Sequence, residues 1–302
     1  MSKKVRQSYE KAFMSDMRAI DHMKIEATYS DDGKPNSDGI TKRISEDGDL
    51  HSLLSNIMNE KNEVIGQDLY HRLFMAPFWK DSGRPIFNIS SELAAALILT
   101  DLPDTIDIKS PFPAFILSIQ SGKNTETPLV VDGQEYHGIA FFETSGDTGQ
   151  TWAIWTMPKD ESHNCVYQKI IDTTDMKEWV SNAPHSAPIL RLILNFMVYL
   201  NAKKESGTLP GAKRAKFGVR KGSLVTSLGK DVKLNPNIIK AARGDSLGGP
   251  QYKLNKRFVV RGHFRNQGYG PRAEKQTRVT WIQPFWKGPD ILEAAERTYT
   301  VE

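Results

Sequence analysis

Residues 136–157 read YHGIAFFETSGDTGQTWAIWTM and carry the strongest secondary-structure signal in the chain. Two apolar and aromatic runs, Tyr136–Thr144 and Thr151–Met157, flank the turn sequence Asp147-Thr148-Gly149. Runs of this composition are typical of strands, and a short connection containing Asp and Gly is typical of a hairpin turn. The sequence therefore predicts an antiparallel β-sheet at this point of the chain.

Three further runs extend the predicted sheet on both sides of the hairpin: Ala114–Gln120, Pro128–Val131 and Asn164–Asp172. Together with the hairpin they predict an antiparallel sheet of about five strands, a usual size for a sheet. An apolar helix is predicted to follow, from residue 186 or 187 to about Ala202. Because it is apolar around most of its circumference, we expect it to be buried against the sheet.

Upstream of the sheet the periodicity is helical. Residues 2–25 predict an amphipathic helix, residues 28–49 a mobile loop and Leu50–Met75 a second helical region. Ser90 is placed to cap the N-terminus of a short apolar helix that runs through Leu99. N-terminal helices with an antiparallel sheet and a buried helix indicate the α+β class.

Positive charge is concentrated in the last third of the chain. Residues 201–290 contain 20 Lys and Arg against 5 Asp and Glu, whereas residues 1–200 contain 19 against 28. Such segregation indicates a module that binds a polyanion, and nucleic acid is the usual one. We divide the chain into a body for protein or peptide recognition (1–202), a basic flexible arm (203–253) and a C-terminal hairpin module that binds RNA (254–302).

Several other classes of function are disfavoured by the sequence. The single cysteine, Cys165, excludes an internal disulfide and a cysteine-rich zinc site. The histidines do not show metal-ligand spacing, and the run Ser145–Thr151 has Gln150 where a phosphate-binding loop needs lysine. We expect no metal, no cofactor and no signal peptide. The longest apolar stretch, Ala187–Leu200, contains Arg191 and is too short for a membrane span, so a cytoplasmic protein without a membrane partner is predicted.

The C-terminal module is predicted to be a hairpin of two strands, Arg257–Phe264 and Arg278–Phe285, joined by the glycine-rich residues 265–271. Alternation along a strand would place Arg261, His263 and Arg265 on one face, with no acid nearby.

Arginine forks suit phosphates and aromatic planes suit unstacked bases, so this hairpin predicts a site for single-stranded RNA. The candidate RNA-binding residues, from hairpin and arm, are Lys256, Arg257, Arg261, His263, Arg265, Gln267, Tyr269, Arg272, Arg278, Trp281, Trp286, Lys213, Arg214, Lys216, Arg220 and Lys221.

The same residues allow a second hypothesis, a metal-independent endoribonuclease. His263 would be the general base, Arg261 and Arg265 the donors to the phosphate, and Tyr269 the acid for the leaving oxygen. Binding needs the same side chains as cleavage, so the sequence leaves both open.

The C-terminal sequence also resembles a known family. Arg261-Gly262-His263-Phe264, the glycines around Tyr269 and the run Arg278–Pro284, RVTWIQP, resemble the signature of an anti-CRISPR family from phages and plasmids. That family acts against the type V CRISPR effector nuclease, and Phe264 stands where it carries Trp. The resemblance implies recognition of the nascent effector peptide at the ribosome and a lowering of the effector's messenger RNA.

These observations support three hypotheses. The first is an anti-CRISPR-like regulator that recognises a target protein or nascent peptide and binds messenger or ribosomal RNA. In it, Ala114–Gln120 is a candidate edge strand for an added peptide strand, unless it lies inside the sheet. The second is the endoribonuclease that uses His263. The third is an inhibitor that blocks a nucleic-acid enzyme by binding protein alone.

Overall fold

The protein is described by a computed structural model, which covers residues 26–27, 29, 31, 36, 38–46, 48, 52, 75–102, 108–120, 127–146, 149–159, 167–170, 180, 185–217, 220–234, 239–240, 242–243, 258–271 and 276–287. The helix predicted over residues 2–25 lies outside these residues, and so does Leu50–Met75 apart from residues 52 and 75.

Three helices and twelve strands have defined bounds in the described residues. The helices are α1 (Asp38–Glu46), α2 (Ser91–Ile98) and α3 (Ala187–Glu205), and residues 75–81 are also helical. The strands are β1 (Pro85–Ser90), β2 (Ala114–Gln120), β3 (Val130–Val131), β4 (Gln134–Gly146), β5 (Gly149–Pro158), β6 (Tyr167–Ile170), β7 (Lys213–Arg214), β8 (Leu224–Leu228), β9 (Phe258–Val260), β10 (His263–Tyr269), β11 (Gln276–Ile282) and β12 (Phe285–Lys287). The α+β class is therefore confirmed.

The central sheet has eight strands in the order β6-β5-β4-β2-β1-β8-β7, and β3 pairs with β4. The five strands predicted from the sequence are all present, and their pairings with one another are antiparallel. The sheet as a whole is mixed, because β1 pairs in parallel with both β2 and β8. β2 therefore lies inside the sheet between β1 and β4, so the suggestion that Ala114–Gln120 is an edge strand is wrong.

Part of the predicted flexible arm belongs to the central sheet. Residues 203–205 complete α3, and the arm then supplies the strands β7 and β8. β8 covers the side of β1 that β2 leaves open, and an unpaired strand edge of that kind is a liability for a folded protein. The short strand LVTSL was not recognised in the sequence for two reasons. The segment around it is basic and contains glycines, and its partner β1 is distant in the chain.

The two faces of the sheet are covered by different helices. On one face α2 and α3 pack over a core that includes Phe115, Phe141 and Phe196. Ser90 caps α2 as predicted, since its hydroxyl accepts a hydrogen bond from the Leu93 backbone amide at 3.1 Å. In the parts of the chain that are described, no helix is both long and apolar enough to cross a bilayer.

On the opposite face lie α1 and residues 75–81. Ile40 of α1 is fully buried there with Phe78 and Trp79. α1 falls within residues 28–49, which were predicted to be a loop. The polar sequence of this helix, DGITKRISE, offers few apolar positions from which a helical period could be recognised.

The C-terminal strands form one antiparallel ribbon, β9–β12, with a break in the middle. β10 pairs with β11 and β9 pairs with β12, while residues 261–262 and 283–284 lie between the two paired segments. The predicted hairpin is therefore present with different bounds. Residues 265–269, predicted to be a connection, continue strand β10. The ribbon packs on the α3 side of the sheet through Phe264, Val279 and Trp281.

Candidate nucleic-acid interface

The paired segment β10–β11 has an inner face, which packs on the body through Phe264, Val279 and Trp281, and an outer face toward solvent. Arg265 lies opposite Thr280 and Gln267 lies opposite Arg278, so these side chains share one face. The full outer set is His263, Arg265, Gln267, Tyr269, Gln276, Arg278, Thr280 and Ile282. Phe264 is buried on the inner face. The predicted alternation is therefore confirmed from His263 onward on the first strand and from Arg278 to Ile282 on the second, but it does not extend to Arg261, which lies outside β10.

Gly262 marks the point at which the ribbon touches the end of α2. Its carbonyl accepts a hydrogen bond from the Asp101 backbone amide at 2.8 Å. A Cβ atom at this position would lie 2.3 Å from Thr100 Oγ1 and 3.0 Å from Pro284 Cδ. Real Cβ atoms do not approach other atoms so closely, so this contact requires a residue without a side chain.

Trp281 completes the same contact from the other strand. Its indole Nε1–H donates to Thr100 Oγ1 at 3.2 Å, and the Thr100 hydroxyl in turn donates to the Ala96 carbonyl at 2.7 Å. The Trp281 ring also meets the Tyr199 ring of α3 edge-on, with the centroids 5.2 Å apart. Trp281 was predicted as a stacking surface for RNA, but the structure directs its ring into the body.

Arg261 has an acidic partner at this junction. It lies between β9 and β10, and its Nε atom is 2.6 Å from Asp101 Oδ1. Arg191 Nη1 is 3.8 Å from the same oxygen. Burial, and then repulsion from Arg261, lower the pKa of Arg191 more than the Asp101 charge raises it. The predicted cluster of three cationic groups without an acid is therefore wrong with respect to Arg261.

His263, Arg265 and Tyr269 all lie along β10 on the outer face. Arg265 Nη2 donates a long hydrogen bond to Gln267 Oε1 at 3.4 Å. Tyr269 is 43 % exposed, and the Arg278 guanidinium carbon lies 5.3 Å from the centre of its ring. This cation–π pair presents a plane and a charge side by side.

The same strand geometry separates the proposed acid and base of a ribonuclease. His263 and Tyr269 are the first and last residues of β10, and at about 3.3 Å per residue they stand on the order of 20 Å apart. One phosphodiester cannot contact both groups at that distance. The structure thus brings His263 near Arg265, but does not bring Tyr269 to the same phosphate.

A groove runs beside the ribbon along the C-terminal part of α3. It consists of two adjoining cavities of about 490 and 420 Å³, which share Tyr199, Lys203, Thr208 and Asp231 as lining residues. The cations that line it are Lys203, Lys213, Lys230 and Arg278. Asp231 is its one acidic lining residue among those described, and it lies 3.8 Å from Lys203. The groove is therefore net positive.

Tyr199 forms the floor of this groove. The Lys203 ammonium lies 5.6 Å from the centre of its ring. Burial, and then the negative charge of Asp231, raise the pKa of the Tyr199 hydroxyl above its ordinary value. Sequence reasoning missed Tyr199, Lys203 and Lys230. The two lysines could have been found from the charge count alone, whereas Tyr199 is indistinguishable from its apolar neighbours in α3.

The five arm residues predicted to bind RNA lie in and around the β7–β8 hairpin. Lys213, Arg214, Lys216 and Lys221 are exposed there. Arg220 is half-buried and donates to Asn88 Oδ1 at 2.7 Å and to Ser118 Oγ at 3.1 Å, so it ties the hairpin to the sheet. Lys256, Arg257, Arg272 and the side chain of Trp286 lie outside the described residues, and their assignment to an RNA site stays a prediction.

Residues 87–288 match the model of one protein family, described as AcrVA2-like, anti-CRISPR type V subtype A2 family. The match extends from β1 to just beyond β12, and so includes most of the central sheet, α2, α3 and the ribbon. No curated protein matches the chain. The anti-CRISPR family suggested by the C-terminal signature is therefore confirmed, over a much longer segment than the signature itself.

Proposed function

This chain belongs to the AcrVA2-like family of anti-CRISPR proteins, type V subtype A2, and on that premise we propose that it acts by holding RNA on the outer face of the β10–β11 ribbon. In this proposal the body recognises a target protein or its nascent peptide in the cytoplasm. The bound RNA is either the messenger RNA of the target or the RNA of the ribosome that translates it. The outcome is a lower level of that messenger RNA.

One observation carries the RNA assignment, namely the division of the ribbon into a packed face and a presented face. Phe264 is buried in the core and Trp281 packs against it, so the ribbon is attached to the body by its inner side. Arg265 and Arg278 are exposed on the other side beside Tyr269. Cationic donors next to an aromatic plane on a fixed surface are suited to phosphates and unstacked bases.

The groove beside the ribbon supports the same assignment. It begins at Arg278, passes Lys203 and Lys230, and reaches Lys213 on β7. A line of cations with few acids lowers the free energy of a polyanion that follows it, because bound counterions are released from the phosphates. The groove thus offers a path by which an RNA strand could continue from the ribbon toward the β7–β8 hairpin.

In this proposal the body recognises its target by accepting a peptide at an edge of the central sheet. Since β2 is internal, a peptide that adds as a strand would instead use an edge strand, and β6 and β7 are the two ends of the described strand order. β6 pairs with β5 over four residues and is the longer of these two strands. We therefore place peptide addition at β6 within this proposal.

The RNA assignment is tested by anisotropy titration of labelled single-stranded RNA at several salt concentrations, in the presence of EDTA. Arg265→Ala combined with Arg278→Ala removes two cations from the outer face, and should lower the salt slope by about 1.4 for a single strand. The matched control, Lys42→Ala with Lys80→Ala, removes two exposed cations from the helical layer on the opposite face of the sheet. It should bind RNA like the wild type.

Equal affinity of the outer-face variant and the control would contradict the proposal. Intact RNA after prolonged incubation is expected, given the distance between His263 and Tyr269 along β10. Cleavage that survives EDTA and disappears in His263→Ala would instead establish the endoribonuclease.

A second experiment joins RNA binding to the anti-CRISPR role. The protein is expressed with a type V effector, and effector messenger RNA and ribosome co-sedimentation are measured. The outer-face variant should lose both the reduction in messenger and the ribosome association, while the control keeps them. If the outer-face variant blocks the effector as well as the wild type does, the protein acts through protein contacts alone.

A further inference from the structure

Backbone hydrogen bonds join the two described ends of the β7–β8 hairpin loop. The Ala215 amide donates to the Ser223 carbonyl at 2.9 Å, and the Gly222 amide donates to the Ala215 carbonyl at 2.8 Å. The Arg214 guanidinium also donates to the Gly222 carbonyl at 2.8 Å. Together with the Arg220 contacts to the sheet, these bonds hold the described ends of the hairpin loop at the end of the central sheet.

This loop displays a phenylalanine to solvent. Phe217 is 85 % exposed, whereas the other exposed large apolar residues among those described, Tyr29, Tyr269 and Phe285, are 41–43 % exposed. A phenylalanine side chain normally contributes to stability by leaving water, so one held outward contributes little to the fold. Its position is better explained by contact with a partner.

The residues around Phe217 indicate the chemistry of that partner. Residues 213–221 contain five Lys and Arg and no Asp or Glu. Among the described residues, no carboxylate lies within ion-pair distance of Lys213 or Lys216. An exposed aromatic ring in the same hairpin as Lys213 and Lys216 is complementary to a chain that is both anionic and rich in flat apolar surfaces. Single-stranded nucleic acid has both properties.

We propose that Phe217 stacks on an unpaired base of bound RNA, while Lys213 and Lys216 contact the neighbouring phosphates. This inference rests on the proposed RNA-binding function and extends it to a second contact point. Lys213 also lines the groove that leads from Arg278, so the hairpin lies at the far end of the same cationic path. The ribbon and the hairpin would then hold two separate parts of one RNA strand.

The test uses the full-length protein and two probes, a labelled oligouridylate and an RNA duplex of the same length. Phe217→Ala should weaken oligouridylate binding by roughly five- to 150-fold, the range for one aromatic–base stack, without changing the salt slope. Phe217→Trp should keep the affinity, and Phe217→Leu should not, because leucine is apolar but cannot stack. Lys216→Ala should instead lower the salt slope by about 0.7. Binding of the duplex should be insensitive to Phe217→Ala.

The outcomes separate this inference from the proposed function. If the wild type binds oligouridylate and Phe217→Ala binds equally well, the stacking contact is refuted and the ribbon site stands. Full affinity of Phe217→Leu, or an equal loss of duplex binding, would also refute stacking on an unpaired base. A lower unfolding temperature of Phe217→Ala would assign the ring to stability instead. If the wild type binds no RNA, both proposals fall.

Discussion

The two faces of the β10–β11 ribbon differ in what surrounds them, although their residues alternate along the same two strands. The inner face packs on the body through Phe264, Val279 and Trp281, and the ribbon is joined to Thr100 by Gly262 and Trp281. The outer face carries the exposed cations Arg265 and Arg278. Neighbouring residues of a short motif therefore serve different purposes. In Arg-Gly-His, Arg261 and Gly262 contact the body through Asp101 and Thr100, whereas His263 lies on the outer face.

This difference means that residues of one short sequence motif do not necessarily belong to one RNA-binding site. Arg261 and His263 were grouped from the sequence because they are two residues apart. The break between β9 and β10 removes Arg261 from that alternation and places it on Asp101. Substitutions in the docked part of the ribbon should therefore change stability, whereas substitutions on the outer face should change RNA affinity.

The largest effect is expected at the docking glycine. Gly262→Ala should lower the free energy of unfolding by about 3 kcal/mol, because its Cβ would overlap the Thr100 hydroxyl. Gly268→Ala is the matched control in the same ribbon, since the nearest atom to its Cβ would be 4.0 Å away. Urea denaturation measures both. Similar stabilities of the two variants would mean that the ribbon is not docked through Gly262.

A smaller loss of stability is expected for Thr100→Val. Valine keeps the shape of threonine, but the Trp281 indole N–H would lose its acceptor, at a cost of about 2 kcal/mol. Thr100→Ser retains the hydroxyl and should lose clearly less. If valine is as stable as serine in urea denaturation, the hydrogen bond to Trp281 contributes nothing to docking.

On the outer face the expected effect is on affinity and not on stability. Tyr269→Ala removes the ring beside Arg278 and should weaken binding of single-stranded RNA about tenfold, while urea denaturation changes little. Tyr29→Ala is the control, because Tyr29 is similarly exposed but packs against Phe78 on the opposite layer. A similar loss of RNA affinity in both variants would remove the distinction between the faces.

The smallest effect is expected for the ion pair at the junction. Asp101→Asn should cost about 0.5 kcal/mol, because both the Asp101 and Arg261 side chains are about half exposed and water screens their interaction. The cost should fall further at high salt. RNA affinity should stay the same or rise slightly as Arg261 loses its partner. A loss of RNA affinity would mean that Asp101 holds Arg261 in a position where it binds RNA, and Arg261 would then belong to the RNA site.

Local sequence patterns predicted the parts of this fold that depend on neighbouring residues. The hairpin of β4 and β5, the buried helix α3 and the alternation along β10 and β11 all follow from periodicity and turn residues. The parallel pairing of β1 with β2 and β8 was not predictable in this way, because it depends on segments far apart in the chain.

The candidate site likewise has one part that the sequence could predict and one part that it could not. Arg265, Tyr269 and Arg278 share a face because of strand alternation, which the sequence records. The partner of Arg261 and the groove around Tyr199 arise only when α2, α3 and the ribbon pack together. The mainly polar helix Asp38–Glu46 was missed for a different reason, since its two apolar residues, Ile40 and Ile44, are too few to reveal a helical period in the sequence.

The most direct test of the central claim is photo-crosslinking of the full-length protein to single-stranded RNA that carries 4-thiouridine, with the sites mapped by mass spectrometry. Crosslinks should fall within β10 and β11, at residues such as His263 and Tyr269, and should be absent from α1 and from residues 75–81. They should also disappear when unlabelled RNA competes. Crosslinks confined to α1 and residues 75–81, or none at all, would contradict the assignment of the ribbon's outer face to RNA.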